Sequence, residues 1–512
     1  MNDEVRNKAI LVFFRHYFNS SSTALKLSVL AFLLVTTSGI ALNHGSRAWN
    51  AVAADQKANP GTCNITDEEA TGLNGDLSAD VHAVRDYEGA VGHLLKEEKF
   101  EELDCLADHA RSSKERFSGG AWKLHVLYNG LHSPVQYPVK HATQEDWDVL
   151  LQRLQRWAAE RPKSVTARIA LALAYLAYAD DARGNGYADT VSESGWKLFR
   201  ERTAEGKRIL EEASLLPTKC PEWYVAMQAV AQKQGWDAAE ESALYDEATK
   251  FEPGYYYYAR LRANNLLPKW RGEPGDTEKF VQEAADRIGG DQGDILYFQV
   301  ASWSGLICGC TDNPHLSWER IERGFEAAEK QYGVSLLNLN RIAYLASHFG
   351  ETDPIIADKA LTRIGEQWDE ETWASKDDFD GVKKLMSELA PVMAQKRAME
   401  AAAEANVKTP EGAAYQVSFE KRYRELVQQC ARTEGGSVTQ GEGKFETLTS
   451  VGAKGTVEDL RIESMGPLVP CLYQKLHGFQ LEKATPFTPP PQAPYWVRLD
   501  LDWAEFAPVA AR

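Results

Sequence analysis

The chain has 512 residues, of which 44% are hydrophobic and 26% charged, and its net charge is -17. These proportions exclude a wholly disordered chain and imply two or three folded domains. An acidic body with no basic stripe repels phosphate backbones, which speaks against a nucleic-acid partner.

Residues 1–26 form a leader in which Arg6, Lys8, Arg15 and Lys26 outweigh Asp3 and Glu4. Residues 27–43 (LSVLAFLLVTTSGIALN) carry no charged side chain. A positive flank before such a run is the pattern of a secretory signal or a short membrane anchor. Both readings put the body on the outer side of the membrane, in the periplasm, and the uncleaved form would make the membrane a partner. Residues 44–75 are mostly polar or small and read as a linker.

Residues 76–405 read as a helical repeat domain. Thr143 to Asp146 form a capping-box pattern, after which Trp147, Leu150, Leu151, Leu154 and Trp157 recur at helical spacing. Ser164 is placed to cap the next helix, whose run ARIALALAYLAYA is apolar nearly all round and must be covered on several sides. Further helices are expected over 195–216, 221–235, 236–251, 255–267, 277–288, 294–307, 316–332, 334–349 and 381–405. Helix starts about 15 to 20 residues apart give the helix-pair rhythm of a solenoid. No fixed set of residues recurs, so the array is tetratricopeptide-like and not a consensus repeat.

Residues 406–512 change character. A helix over 410–431 is followed by strands over 444–451 and 456–463, a short helix over 469–477, a Pro-rich stretch and a closing strand over 495–503. This is a small α+β domain in the order α-β-β-α-β.

The seven cysteines contain no C-x-x-C pair. An exported compartment permits disulfides. Cys430 and Cys471 are expected to pair because they share one small domain, and Cys63 and Cys105 because they are neighbours in the chain. The odd count leaves a free thiol or an intermolecular bond. Cys308 and Cys310, one residue apart, are poorly spaced to chelate zinc; they are expected to be buried, or one of them to bond Cys220.

Two stretches carry family resemblances. The segments ARIALALAYLAYADDARGNGYADTV, CPEWYVAM, EPGYYYY and LLPKWRGEPGDTEKF, within residues 147–307, together resemble the helical family catalogued as domain of unknown function 4034, found in exported bacterial proteins. That resemblance implies a helical fold and an exported setting, and no chemistry. Over 444–503, the Gly455–Val457 tripeptide, Cys471 in a short helix, the Pro-rich run and the YWVRLDLD strand are similar to the C-terminal domain of TonB-type energy transducers. The Tyr-Pro pair of those transducers is missing. The resemblance therefore implies a topology, and pairing of a partner strand along an open sheet edge.

Candidate binding residues are aromatic. Tyr255, Tyr256, Tyr257 and Tyr258 follow a Pro-Gly turn and point all round a helix, so at least one is expected to face a groove, with wedging between repeats as the structural alternative. Trp270 sits on the following turn, flanked by Lys269 and Arg271, which are expected to be solvated. Trp496 lies on the closing strand. Residues 376–388 approach a calcium-loop pattern but place Ser387 where the bidentate Glu belongs, and read instead as an acidic helix start. No nucleotide, zinc-protease or nucleophile-elbow motif is present, so no cofactor, metal or catalytic residue is assigned. The expected function is an exported scaffold that binds an envelope protein or peptide through its helical groove, with strand addition at the C-terminal domain. The alternative is an envelope carbohydrate-binding protein or glycan-acting enzyme, whose mark would be a closed pocket with two facing carboxylates.

Overall fold

The computed structural model describes residues 63–66, 70–135, 142–184, 186–303, 315–348, 353–433, 444–453, 455–463, 468–476, 494–502 and 505–506. The apolar segment 27–43 and the pair Cys308 and Cys310 lie outside the described residues. Among those described, no helix is long and apolar enough to cross a membrane. The chain divides into two compact units, with the boundary between Met386 and Ser387.

The first unit is helical. Its elements are α1 (Ala83–Lys96), α2 (Phe100–Ser113), α3 (Lys123–His132), α4 (Gln144–Glu160), α5 (Val165–Arg183), α6 (Glu193–Ser214) and α7 (Pro221–Gln234). They continue as α8 (Ala238–Phe251), α9 (Tyr257–Asn265), α10 (Asp276–Ile288), α11 (Gly290–Ala301), α12 (Trp318–Tyr332), α13 (Leu336–His348) and α14 (Pro354–Ile364). The helix starts obey local rules. Thr143 and Asp146 form the expected capping box on α4, and the Ser164 hydroxyl accepts from the Ala167 N–H on α5. Pro221 stands at the first position of α7, where its missing N–H costs nothing.

Most consecutive helices pack on one another, and α5, α7, α9 and α11 also form a row in which each touches the next. The apolar helix α5 lies in that row, covered by α4, α6, α3 and α7, as its all-round hydrophobicity requires. The helix α3 and the strap before it, residues 115–122, pack into the same row. α3 touches α1, α2, α5 and α7. Within the strap, the Gly119 carbonyl accepts from Gln299 on α11 at 2.9 Å and from Asn338 on α13 at 3.0 Å. The Trp122 indole N–H donates to the Gly254 carbonyl at 3.1 Å. Gly119 has φ +79°, and a Cβ there would lie 2.4 Å from the Ser335 Cβ, so this close approach admits only glycine.

Part of the expected linker is packed structure. Cys63 and Leu73 are buried, and Cys63 is joined to Cys105 on α2 with 5.6 Å between Cα atoms. That crosslink holds a polar stretch against the core where its composition alone would leave it loose.

α15 (Lys376–Val407) begins at the acidic stretch, as expected, and crosses the boundary between the units. The second unit therefore starts at 387 and not at 406. It continues with α16 (Pro410–Thr433), β1 (Lys444–Val451), β2 (Val457–Glu463), α17 (Leu468–Leu476) and β3 (Tyr495–Asp502), which is the expected order of elements. The sheet order is β2-β1-β3, antiparallel throughout, with Leu448 opposite Arg461 and Arg498. One face carries Phe445, Leu460, Val497 and Leu499 against Phe419, Tyr423 and Val427 of α16 and Leu472 of α17. On the other, Leu448 packs with Met399 and Ala403 of α15. Cys430 and Cys471 are bonded, 5.7 Å apart at Cα, and staple α16 to α17.

Side chains take three carbonyls along the sheet edges. Asn406 and Gln416 donate to the outward carbonyls of Trp496 and Arg498 at 2.9 and 2.6 Å. The Tyr473 hydroxyl donates to the Leu460 carbonyl at 2.9 Å. Such contacts satisfy the groups that a neighbouring strand would otherwise take.

Candidate functional site

The four tyrosines do not line an open groove. Tyr255, Tyr256, Tyr257 and Tyr258 are all buried, with no more than 5% of any of them exposed. They meet the strap and α3, which fill the space in front of them. The Trp122 ring packs edge-on to Tyr255 at 4.9 Å, and His125 stacks on Tyr257 at 3.5 Å. The Tyr257 hydroxyl accepts from the Trp122 N–H at 3.2 Å and from Tyr256 at 3.1 Å. Burial of aromatic area against the chain's own segment decides this arrangement.

Behind the tyrosines lies Glu222, the second residue of α7 and 2% exposed. Its carboxylate accepts from the Tyr255 hydroxyl at 2.5 Å and stands 3.1 Å from His125 Nδ1 through both oxygens. Burial pushes the Tyr255 and Tyr257 phenols well above their ordinary range, so at neutral pH they are hydrogen-bond donors and not bases. The Tyr128 hydroxyl faces Cys220 Sγ at 3.5 Å, and Cys220 is a buried free thiol with no disulfide to a neighbour. Glu222 and His125 escaped the sequence reading because an acid near a helix start and a lone histidine look like ordinary surface residues. Only their contacts with each other and with the tyrosines mark them.

His125, Asn129 and His132 share one face of α3, spaced so that they stack along it. His132 Nδ1 donates to the Tyr128 carbonyl at 2.8 Å, and burial lowers its pKa, keeping the ring neutral. Asn129 donates to Glu88 of α1 at 3.1 Å. Burial, with a smaller contribution from the nearby Glu371 carboxylate, pushes Glu88 up to about 7. Below pH 4.5 this carboxyl is protonated in both the folded and the unfolded chain. Between there and about 7 only the unfolded chain ionises, so stability falls as pH rises through that window and stays lower above it. Glu88→Gln is expected to raise stability at pH 8 by about 1–3 kcal/mol and to flatten the profile between pH 5 and 7. Denaturant midpoints at several pH values check this, and an unchanged slope in the variant refutes it.

The structure contains an open cleft of about 460 Å³ lined by Asp104, Asp108, Arg161, Lys163, Thr166 and Thr218 among others. Its carboxylates are already engaged. Asp104 binds Arg161 and Ser164, and Asp108 binds Arg111. The cleft is open where a glycan-cleaving site would be closed. No group of three metal-ligating side chains occurs among the described residues.

Trp270 is 47% exposed. Its turn is held by Arg271, which is not free in solvent. Arg271 donates to the carbonyls of Trp236 and Gln232 at 2.8 and 3.1 Å and pairs with Glu241 at 3.4 Å. A cation at the last carbonyls of α7 is favoured by the helix dipole. Trp496 is half-buried and packs on the cluster of Met399, Ala403 and Leu448. Its position on β3 therefore stabilises the sheet, and the carbonyl it offers outward is the one Asn406 takes.

Fold and site define a mainly helical protein with a buried tyrosine–carboxylate core and a small sheet sandwiched by helices. No family model, curated protein or solved structure matches the chain. The two disulfides among the described residues are what an oxidising, exported setting permits.

Proposed function

We propose that this chain is an exported, disulfide-stapled scaffold that binds an envelope protein or peptide through its helical unit. The supporting observation is Trp270, a large aromatic standing half-exposed on a turn that Arg271 braces against α7 and α8. A rigid exposed tryptophan contributes contact area with little conformational entropy to lose, which is the character of binding hot spots. The tyrosine cluster has no direct part in this reading, because it is buried. Strand addition at 495–503 would require Asn406 and Gln416 to withdraw first.

Photo-crosslinking tests the proposal. A photoreactive residue at 270 in the full chain is expected to give a recurrent protein adduct in cells, and the same residue at the buried position 256 none. Trp270→Ala should weaken partner binding by about 2 kcal/mol or more while changing the melting of the free protein little. Adducts that consist only of glycan fragments, or no adduct at all, would overturn it.

A further inference from the structure

Arg260, on α9, is 7% exposed, yet among the described residues no carboxylate lies within ion-pair distance of it. Its Nε donates to the Gln299 carbonyl at 2.7 Å and its Nη2 to Gln299 Oε1 at 3.1 Å. The guanidinium also lies over the rings of Tyr256 and Tyr257, at 4.6 and 5.3 Å. Those faces offset part of the charge. They do not replace an anion, and a buried charge with only neutral partners is costly.

A second cation makes the arrangement harder to explain as structure alone. Gln299 donates to the Gly119 carbonyl, which also accepts from Asn338 of α13. Arg341 lies three residues beyond Asn338, on the same side of that helix. It is half-buried and has no hydrogen-bond or ion-pair partner among the described residues. Its charge reaches Arg260 and, after burial, adds to what lowers that guanidinium's pKa. An acidic chain has thus placed two arginines where they repel, with no carboxylate among the described residues to join them.

The donors left over are the kind an oxyanion needs. Gln299 occupies the side edge of the Arg260 guanidinium, formed by Nε and Nη2. The end edge, Nη1 with the outer proton of Nη2, remains for a ligand, and a guanidinium fork matches a carboxylate or phosphate. The neighbouring tyrosine pair holds two hydroxyl protons but makes one bond between its oxygens, while the Trp122 N–H donates to the same Tyr257 oxygen. One hydroxyl proton is therefore surplus to that pair.

We infer that Arg260 and Arg341 form a binding site for a small oxyanion, a carboxylate or a phosphate, entering from the more exposed Arg341 side. This inference is independent of the partner reading built on Trp270.

Titration calorimetry on the full chain tests it, with inorganic phosphate and with acetate as probes and ionic strength held constant with sodium chloride. Saturable one-site binding of either probe is expected, and which of the two binds identifies the ligand class. Arg341→Gln should weaken that binding by about tenfold or more. The same variant without probe should melt no lower than the parent, because a like charge beside Arg260 is gone; a merely structural arginine would lower it. Arg260→Lys serves as a second variant, and Arg200→Gln, at an exposed position, as a control that leaves binding intact. No saturable binding of either probe overturns the inference, as do equal affinity in Arg341→Gln and parent or an equal loss in Arg200→Gln.

Discussion

Trp122→Ala is expected to destabilise the helical unit by about 3–5 kcal/mol, the range for truncating a fully buried tryptophan. The ring is 1% exposed and is held from several sides. Arg116 lies over it at 4.0 Å, Tyr255 packs on its edge, and its N–H donates to the Gly254 carbonyl. Truncation leaves a cavity between the strap and α9 and removes the donor that joins them. The urea midpoint of the far-UV helix signal is the readout. Trp270→Ala, by contrast, removes a half-exposed ring and is expected to shift that midpoint little. A loss below about 1 kcal/mol in Trp122→Ala would mean that the strap does not hold the helical unit together.

Glu222→Ala is the second large effect, about 2–5 kcal/mol, because it removes the acceptor of the buried Tyr255 hydroxyl and of the half-buried His125 ring at once. Tyr255 and His125 both turn to this carboxylate, and the Tyr255 hydroxyl, at a fully buried position, has no water to replace it. Glu222→Gln keeps one acceptor oxygen and similar volume, so it is expected to cost less, about 1–2 kcal/mol. Thermal or denaturant melts of the two variants decide the matter. Equal losses for Ala and Gln would show that the carboxylate itself, and neither side-chain volume nor a single acceptor oxygen, controls the site.

Much of the fold was legible in the sequence. The capping box at Thr143, the Ser164 cap, Pro221 at a helix start and the alternation of YWVRLDLD each fix a local structure through groups only a few residues apart. The order α-β-β-α-β and the pairing of Cys430 with Cys471 followed because the domain is small and its parts are close in the chain. The domain boundary was not legible. α15 shows no break between the units, and only its contacts with the sheet reveal that residues from 387 belong with the second.

The candidate site shows the same division more sharply. Composition and periodicity determined that this is a mainly helical chain with a small terminal sheet, and that Tyr255 to Tyr258 would be buried or line a groove. The tertiary structure decided between those two, because what stands in front of the tyrosines is Trp122 and His125, some 130 residues earlier in the chain. It likewise turned Glu222 from a helix-start acid into a buried acceptor and Arg271 from a solvated cation into a brace. It also set Arg260 and Arg341 near each other with no carboxylate between them among the described residues. Local pattern reports which face of a helix is apolar, since that depends on residues three and four apart. What covers that face depends on contacts between distant segments, and those are set by packing of the whole unit.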